Sequence, residues 1–401
     1  MTYTSSTDVG GTPERLVSAE DRTQPGDPKL AGRAMAGFGT DLLRRVHGTE
    51  PNTLISPYSI YAVLAMARAG AEGDTATQLD AALGIFGADE QGAAIAAIDT
   101  GIAKALAAAE LGRNPITLTA SNEVWVADGL AVRQDYLDRL AREFGVSAVA
   151  ADFAGQPEQM RQAINSWVSE RTNNLIPQLI PEGSIDAETL MVLVNALYLK
   201  APWYMPFGSP RLGTFTAATG SEVRVPMMTT RVSGTEAPGG GWAAATVPYA
   251  GHYLQMTLLV PELGNFDALL TGLDADLLVT ASGGTRDCEL TMPQFNVTST
   301  PDVQQAIINS GVLDLFGPSA DLSGIAGDPG DLLATALIHQ AVIKVDQYGT
   351  EAAAATAMMM AGSGAPVEPP LIVRADRPFF FWISETTTGA PLFLGAVTDP
   401  S

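Results

Sequence analysis

Residues 349–357 read Gly-Thr-Glu-Ala-Ala-Ala-Ala-Thr-Ala, and no other stretch restricts the fold of this chain so sharply. Before it comes Ala341-Val342-Ile343-Lys344-Val345-Asp346, an alternating apolar segment that reads as a strand. After it comes Met358-Met359-Met360-Ala361-Gly362-Ser363-Gly364-Ala365-Pro366, which reads as an exposed loop. Side chains alternate along a strand, so an extended run puts Thr350, Ala352, Ala354 and Thr356 on one face. That face is small and uncharged throughout. A segment of this kind can stand in solvent as a loop and later be buried as a central strand. Propensity alone gives a different answer, because alanine is the best helix former. Agreement with the rest of the chain decides between the two.

With 401 residues, 46% of them hydrophobic, the chain can bury a large core. Only 16% of residues are charged, but acidic ones outnumber basic ones 44 to 22, for a formal charge of −22. Such a surface repels phosphate backbones and anionic lipid, which argues against nucleic acid, heparin-like polyanions and acidic membranes as partners. Cys288 is the sole cysteine, so no internal disulfide forms. No stretch is expected to cross a bilayer. Residues 1–29 are rich in Thr, Ser, Gly, Asp and Pro and lack an apolar signal-peptide core. They are expected to form a disordered extension, with an ordered arm as the alternative.

Helical spacing marks 31–46, with Arg44, Arg45 and His47 at its basic end. Ser56-Pro57 opens a second helix over 58–69, apolar nearly all round and therefore buried. Further helices are expected over 74–83, 91–111, 135–144, 157–173 and 267–278. Strands are expected over 117–126, 290–297 and 332–345, with a closing pair at 379–383 and 391–397. The continuous apolar run 190–199 suits a strand buried on both faces. Between 214 and 261 the pattern is short strands divided by Gly and Pro. No repeat and no linker divides the chain after residue 30, so one large α+β domain is expected, with two domains as the alternative.

Catalytic chemistry is hard to find. His47, His252 and His339 are the only histidines; none has zinc-motif spacing, and one cysteine cannot build a zinc site. Gly-x-Ser-x-Gly, P-loop and dinucleotide patterns are absent. A non-enzyme without cofactor or metal is expected.

From Asn52 onward, short motifs recur in a recognisable order. They begin with Asn52-x-x-x-Ser56-Pro57-x-Ser59-Ile60 and Ala65-Met66-Ala67, then Gly70-Ala71-x-Gly73-x-Thr75-x-x-Gln78-Leu79. Asp152-Phe153 precedes Ile164-Asn165-x-Trp167-Val168-x-x-x-Thr172, and Val194-Asn195-Ala196-Leu197-Tyr198 leads to Lys200 and Trp203. Val225-Pro226-Met227-Met228, Val247-Pro248-Tyr249 and Ala320-Asp321-Leu322-Ser323-Gly324-Ile325 follow. The chain closes with Ala375-Asp376-Arg377-Pro378-Phe379-x-Phe381-x-Ile383 and Leu392-Phe393-x-Gly395. Together with the 349–357 run, these motifs resemble the serpins, over nearly the whole chain.

The resemblance implies a single α+β domain over 30–401, with three β-sheets, about eight or nine helices and an exposed reactive-centre loop at about 349–371. It implies a metastable, monomeric inhibitor that traps a serine protease as an acyl-enzyme when the cleaved loop enters the main sheet. The hinge would be Gly349, Thr350, Glu351, Ala352, Ala353, Ala354, Ala355 and Thr356. Family spacing puts the cleaved bond at Ser363-Gly364, with Met360, Ala361 and Gly362 as alternatives. No Lys or Arg precedes Arg374 in the loop, so an elastase-, subtilisin- or chymotrypsin-like target is expected. His339 would join Ser56, Ser59 and Asn195 beneath the centre of the main sheet, and Trp203 would mark where insertion begins.

Two departures stand out. Gln347 and Gln294 replace the family's usual ion pair, and an amide pair could substitute for it. Tyr348 is bulky where the family is usually charged. The helix over 91–111 lacks the basic residues that bind heparin in some relatives. The alternative function is a non-inhibitory serpin acting as a carrier or chaperone-like protein. Composition suggests a bacterial source. The family suggests the extracellular space, whereas the missing signal peptide suggests the cytoplasm.

Overall fold

Thr117–Ala127 and Met191–Pro202 pair antiparallel without a break from Thr117↔Lys200 to Val126↔Met191, and they form the backbone of a seven-stranded main sheet. The computed structural model describes residues 13–18, 20–48, 50–111, 116–351 and 369–401. The sheet order is Glu14–Leu16, Ala148–Ala151, Thr117–Ala127, Met191–Pro202, Gly349–Thr350, Ala341–Val345, Phe295–Ser299.

The remaining strands follow one hydrogen-bonded path that Glu222–Glu236 divides in two. Its first part pairs with Arg211–Thr216 and its middle with Arg286–Pro293, beyond which lies Leu371–Arg374. Its last four residues pair with Trp242–Pro248; Ser233 and Gly234 do so while still paired with Arg286–Pro293. From there the path continues through Leu254–Pro261, Phe379–Glu385, Pro391–Val397 and Thr53–Ile55. The long strand thus bends from one sheet into another, and the described residues form the three sheets of an α+β domain. Nine α-helical segments lie among the described residues.

The helix Pro57–Arg68 sits beneath the main sheet. Ser56 caps its N-terminus by accepting from Ser59 N, and every residue from Pro57 to Ala67 is buried, as its all-round apolar sequence requires. Phe379–Glu385 and Pro391–Val397 are buried along their whole length. On the outer face of the main sheet lies the helix Pro157–Arg171. It closes a second, smaller core in which Trp125, Phe153, Ile164, Val168, Ile180 and Val194 meet. Asn165 ties this helix to the turn after it: its Oδ1 accepts from Leu179 N (2.9 Å) and Ile180 N (2.8 Å), and its Nδ2 donates to Ile180 O (2.9 Å).

Several expectations need correction. The supposed disordered extension forms an ordered arm over its described part. Glu14–Leu16 adds a strand to Ala148–Ala151. Arg15 pairs with the buried carboxylate of Glu123 (2.5 Å), Ser18 donates to Asp138 (2.8 Å) and Arg22 to Asp99 (2.9 Å). Its partners are remote in sequence, so local composition could not reveal them. Residues 1–12 lie outside the described residues. The strand expected over 332–345 is restricted to Ala341–Val345. The helix expected over 267–278 is two, Phe266–Thr271 and Ala275–Ser282, split after Gly272. The 290–297 segment is also divided, and Pro293 and Gln294 carry the chain from one sheet to another. Finally, the helical stretch Gly73–Ala109 does reach the length and apolarity of a membrane span; 56% of its most apolar window is buried against the fold. Left-handed glycines at 84 and 87 break it into two packed helices.

Candidate functional site: the hinge and the gap in the main sheet

The centre of the main sheet is unfinished. Met191–Pro202 and Ala341–Val345 lie on either side of the two-residue strand Gly349–Thr350, which pairs through Thr350↔Ala201 on one side and Val345↔Thr350 on the other. Among the described residues the two long strands share no ladder pair of their own below this point. A narrow apolar slot runs down between them, lined by Val192, Val194, Thr335 and Ile338 and covered by Leu179 and Ile180. The slot accounts for two departures from sequence expectation. Val192 and Leu193 are only half-buried in a run that reads as buried on both faces. Residues 332–340 are not strand, and no described strand pairs with them on the side of the gap.

The hinge turns into the gap through a tight bend. Asp346 Oδ1 accepts from Tyr348 N (2.7 Å) and Gly349 N (3.1 Å), and Asp346 N donates to Gly349 O (3.0 Å). Trp203 fastens the bend to the top of Met191–Pro202: its indole Nε1 donates to Asp346 O (2.9 Å) and its backbone N to Tyr348 O (2.9 Å). The indole is buried and stacks on Tyr249 with ring centres 4.4 Å apart. The Tyr249 hydroxyl in turn lies 2.6 Å from Thr350 Oγ1, both residues being fully buried. Burial pushes the Tyr249 hydroxyl well above its ordinary pKa, so it stays a neutral hydrogen-bonding partner. Gln294 Nε2 donates to Gln347 Oε1, so the two amides do pair where an ion pair was expected.

Below the slot, Ser56, Ser59 and His339 are brought together. Ser56 Oγ lies 2.8 Å from Ser59 Oγ and 2.7 Å from Leu392 O, and Ser56 N donates to His339 Nε2 (3.1 Å). An acceptor nitrogen cannot carry a proton, so the neutral ring holds its proton on Nδ1. Burial pushes the His339 pKa down to about 4. Asn195 is in register with Asn122 on the neighbouring strand, and its side chain lies outside the described residues. So do Ala352–Thr356 of the hinge and the candidate cleavage residues Met360, Ala361, Gly362, Ser363 and Gly364.

The His339 shift sets a pH window. The unfolded ring takes up a proton near pH 6.5, whereas the folded ring refuses it until about pH 4. Stability from this group is therefore full above pH 6.5 and is lost as pH falls toward 4, by about 3 kcal/mol. His339→Asn should flatten the unfolding profile between those limits in chemical denaturation. An unchanged slope would show that the ring already titrates normally in the folded protein.

Tyr249 and Asp346 were not singled out from sequence. Asp346 was detectable, since an Asp three residues before a Gly marks a side-chain-capped turn. Tyr249 stood in the motif Val247-Pro248-Tyr249, but its role was not legible there because its partner Thr350 is remote in sequence.

The comparisons agree with this geometry. The family model described as Serpin (serine protease inhibitor) matches residues 33–400. A serine protease inhibitor of Cyanea capillata is 33% identical over 366 residues, covering 89% of this chain and 94% of that protein. The putative serpin-Z12 of Oryza sativa subsp. japonica is 32% identical, covering 98% of this chain and 94% of that one. Among solved structures, Serpin48 of Tenebrio molitor matches with a TM-score of 0.77 at 27% identity, over 92% of this chain and 98% of that one. The thermophilic serpin Tengpin in its native state shares the fold, with a TM-score of 0.81 over 97% of this chain and 100% of its own. A main sheet whose two central strands are bridged, among the described residues, only by Gly349–Thr350 and a family match from residue 33 to residue 400 place this chain in the serpin family of serine protease inhibitors.

Proposed function

We propose that this serpin inhibits its protease as a suicide substrate, and that the target is elastase-, subtilisin- or chymotrypsin-like. One observation carries the reading: the described hinge residues Gly349–Thr350 pair at the top of a slot whose walls share no ladder pair among the described residues. The protease serine attacks the carbonyl of the cleaved residue, Ser363 by family spacing, and the amine of Gly364 leaves. The segment from Gly349 to Ser363 is then joined to the body at one end and to the protease by an ester at the other, and it is no longer tied to Gly364. Continuing from Thr350, it can fill the slot as a middle strand and carry the protease with it. Water hydrolyses the ester if insertion is slow, which releases a cut inhibitor and an active enzyme. The outcome is a race, and small uncharged residues at 352, 354 and 356 favour the inserting side.

Target class follows from the loop. It lacks Lys and Arg before Arg374, so a trypsin-like specificity pocket has no cation to bind. Incubation with pancreatic elastase, chymotrypsin and subtilisin, followed by boiling in detergent and electrophoresis, should give a band heavier by one protease with at least one of the three. Cleavage of the loop by all three with no heavier band would overturn the inhibitory reading.

A further inference from the structure

Glu351 is the last described residue of the hinge, and its backbone is unusual. Its φ is 49°, in the left-handed region that a non-glycine residue rarely adopts. Its N–H donates to Lys344 O (2.9 Å), as a strand residue would, but its left-handed φ is not that of a strand residue. To continue as strand, Glu351 must swing to negative φ. Something must therefore hold it in the left-handed conformation, which costs about 1–2 kcal/mol for a residue with a Cβ.

Its side chain supplies the answer. Glu351 Oε1 lies 3.4 Å from Asn173 Nδ2, and the same Nδ2 lies 3.4 Å from the buried Tyr198 hydroxyl on the central strand. Burial, with the Glu351 charge adding to it, raises the Tyr198 pKa and keeps that hydroxyl protonated. Asn173 sits two residues past the end of the helix Pro157–Arg171, on the segment that runs on to Leu179 and Ile180 over the slot. Asn173 and Asn174 are themselves left-handed (φ 51° and 60°), so the chain leaves the cover in a fixed direction.

We propose that Glu351 and Asn173 form a catch that halts the hinge after Thr350 and ties its release to movement of the covering helix. This deepens the inhibitory reading and rests on it. Insertion requires Glu351 to leave Asn173, and lifting the cover carries Asn173 away from Glu351, so either movement makes the other easier. Glu351 and Asn173 are positioning residues: neither touches the protease's reacting atoms.

The test is a double-substitution cycle. Asn173→Gly removes the amide while leaving the left-handed backbone unstrained, and Glu351→Ala removes the carboxylate. Each alone should raise the ratio of covalent complex to cut inhibitor by about two- to five-fold, the factor carried by one weak hydrogen bond. The pair together should do no more than either alone. In uncut protein, thermal unfolding should show the same non-additivity. In loop-cut protein, where Glu351 has moved into the sheet, the two effects should add. Additive effects in the uncut form, or coupling that persists in the cut form, would overturn the catch. A wild-type protein that forms no covalent complex would defeat the inhibitory reading instead. The unfolding cycle on uncut protein needs no protease and would still report on the contact.

Discussion

Loop-cut protein is expected to unfold about 10–20 °C above the uncut protein. Among the described residues only Gly349–Thr350 pairs between Met191–Pro202 and Ala341–Val345. Filling the gap between them adds on the order of a dozen ladder bonds at about 0.5–1.5 kcal/mol each. Burial of the half-buried apolar walls at Val192 and Ile338 adds to this. At about 2.1 cal/mol/K per residue, a chain of this length gains roughly 1 °C per kcal/mol. Scanning calorimetry of both forms, with cleavage by a catalytic amount of protease, measures the difference directly. Coincident transitions would mean that the uncut fold stores nothing that cleavage can release.

The second large effect concerns Ala354. Thr350 faces inward, buried against Tyr249, and alternation puts Ala352 and Ala354 on the same inward face once the strand continues. Ala354→Glu would bury a carboxylate there with no partner. That cost is several kcal/mol even after protonation offsets part of it. Since about 1.4 kcal/mol is a factor of ten, insertion should slow by a hundredfold or more relative to ester hydrolysis. We expect covalent complex to fall to traces while the loop is still cut at an undiminished rate, turning an inhibitor into a substrate. Undiminished complex formation by this variant would show that the segment after Thr350 does not enter the sheet in that register.

Much of this was legible in the sequence because it rests on local rules. Ser56-Pro57 caps a helix wherever it occurs, and the unbroken apolarity of 58–69 and 379–383 can only be satisfied by burial. The small inward face of the hinge is likewise a matter of residue size and alternation. The parts that were not legible depend on partners far along the chain. Nothing in Glu14-Arg15-Leu16 announces a strand until Ala148–Ala151 offers an edge and Glu123 a buried charge. The loss of ladder at 332–340 goes with the lack of a paired strand among the described residues, not with its own residues, which read as good strand. Left-handed glutamate at 351 contradicts propensity outright, and only the packed structure places Asn173 near enough to hold it. The amide pair Gln294–Gln347 lies between: two coordinated departures from the usual charges suggested the contact, and the fold brought the two side chains together.

Asn165 has a mechanical consequence. By binding three backbone groups of the turn at 179–180, it makes the covering helix and its trailing segment a single stiff plate. On the proposed mechanism such a plate would tilt about its ends and keep its own internal bonds while it swings. The surface it uncovered would be an intact groove with greasy walls, and the swing back would need no refolding.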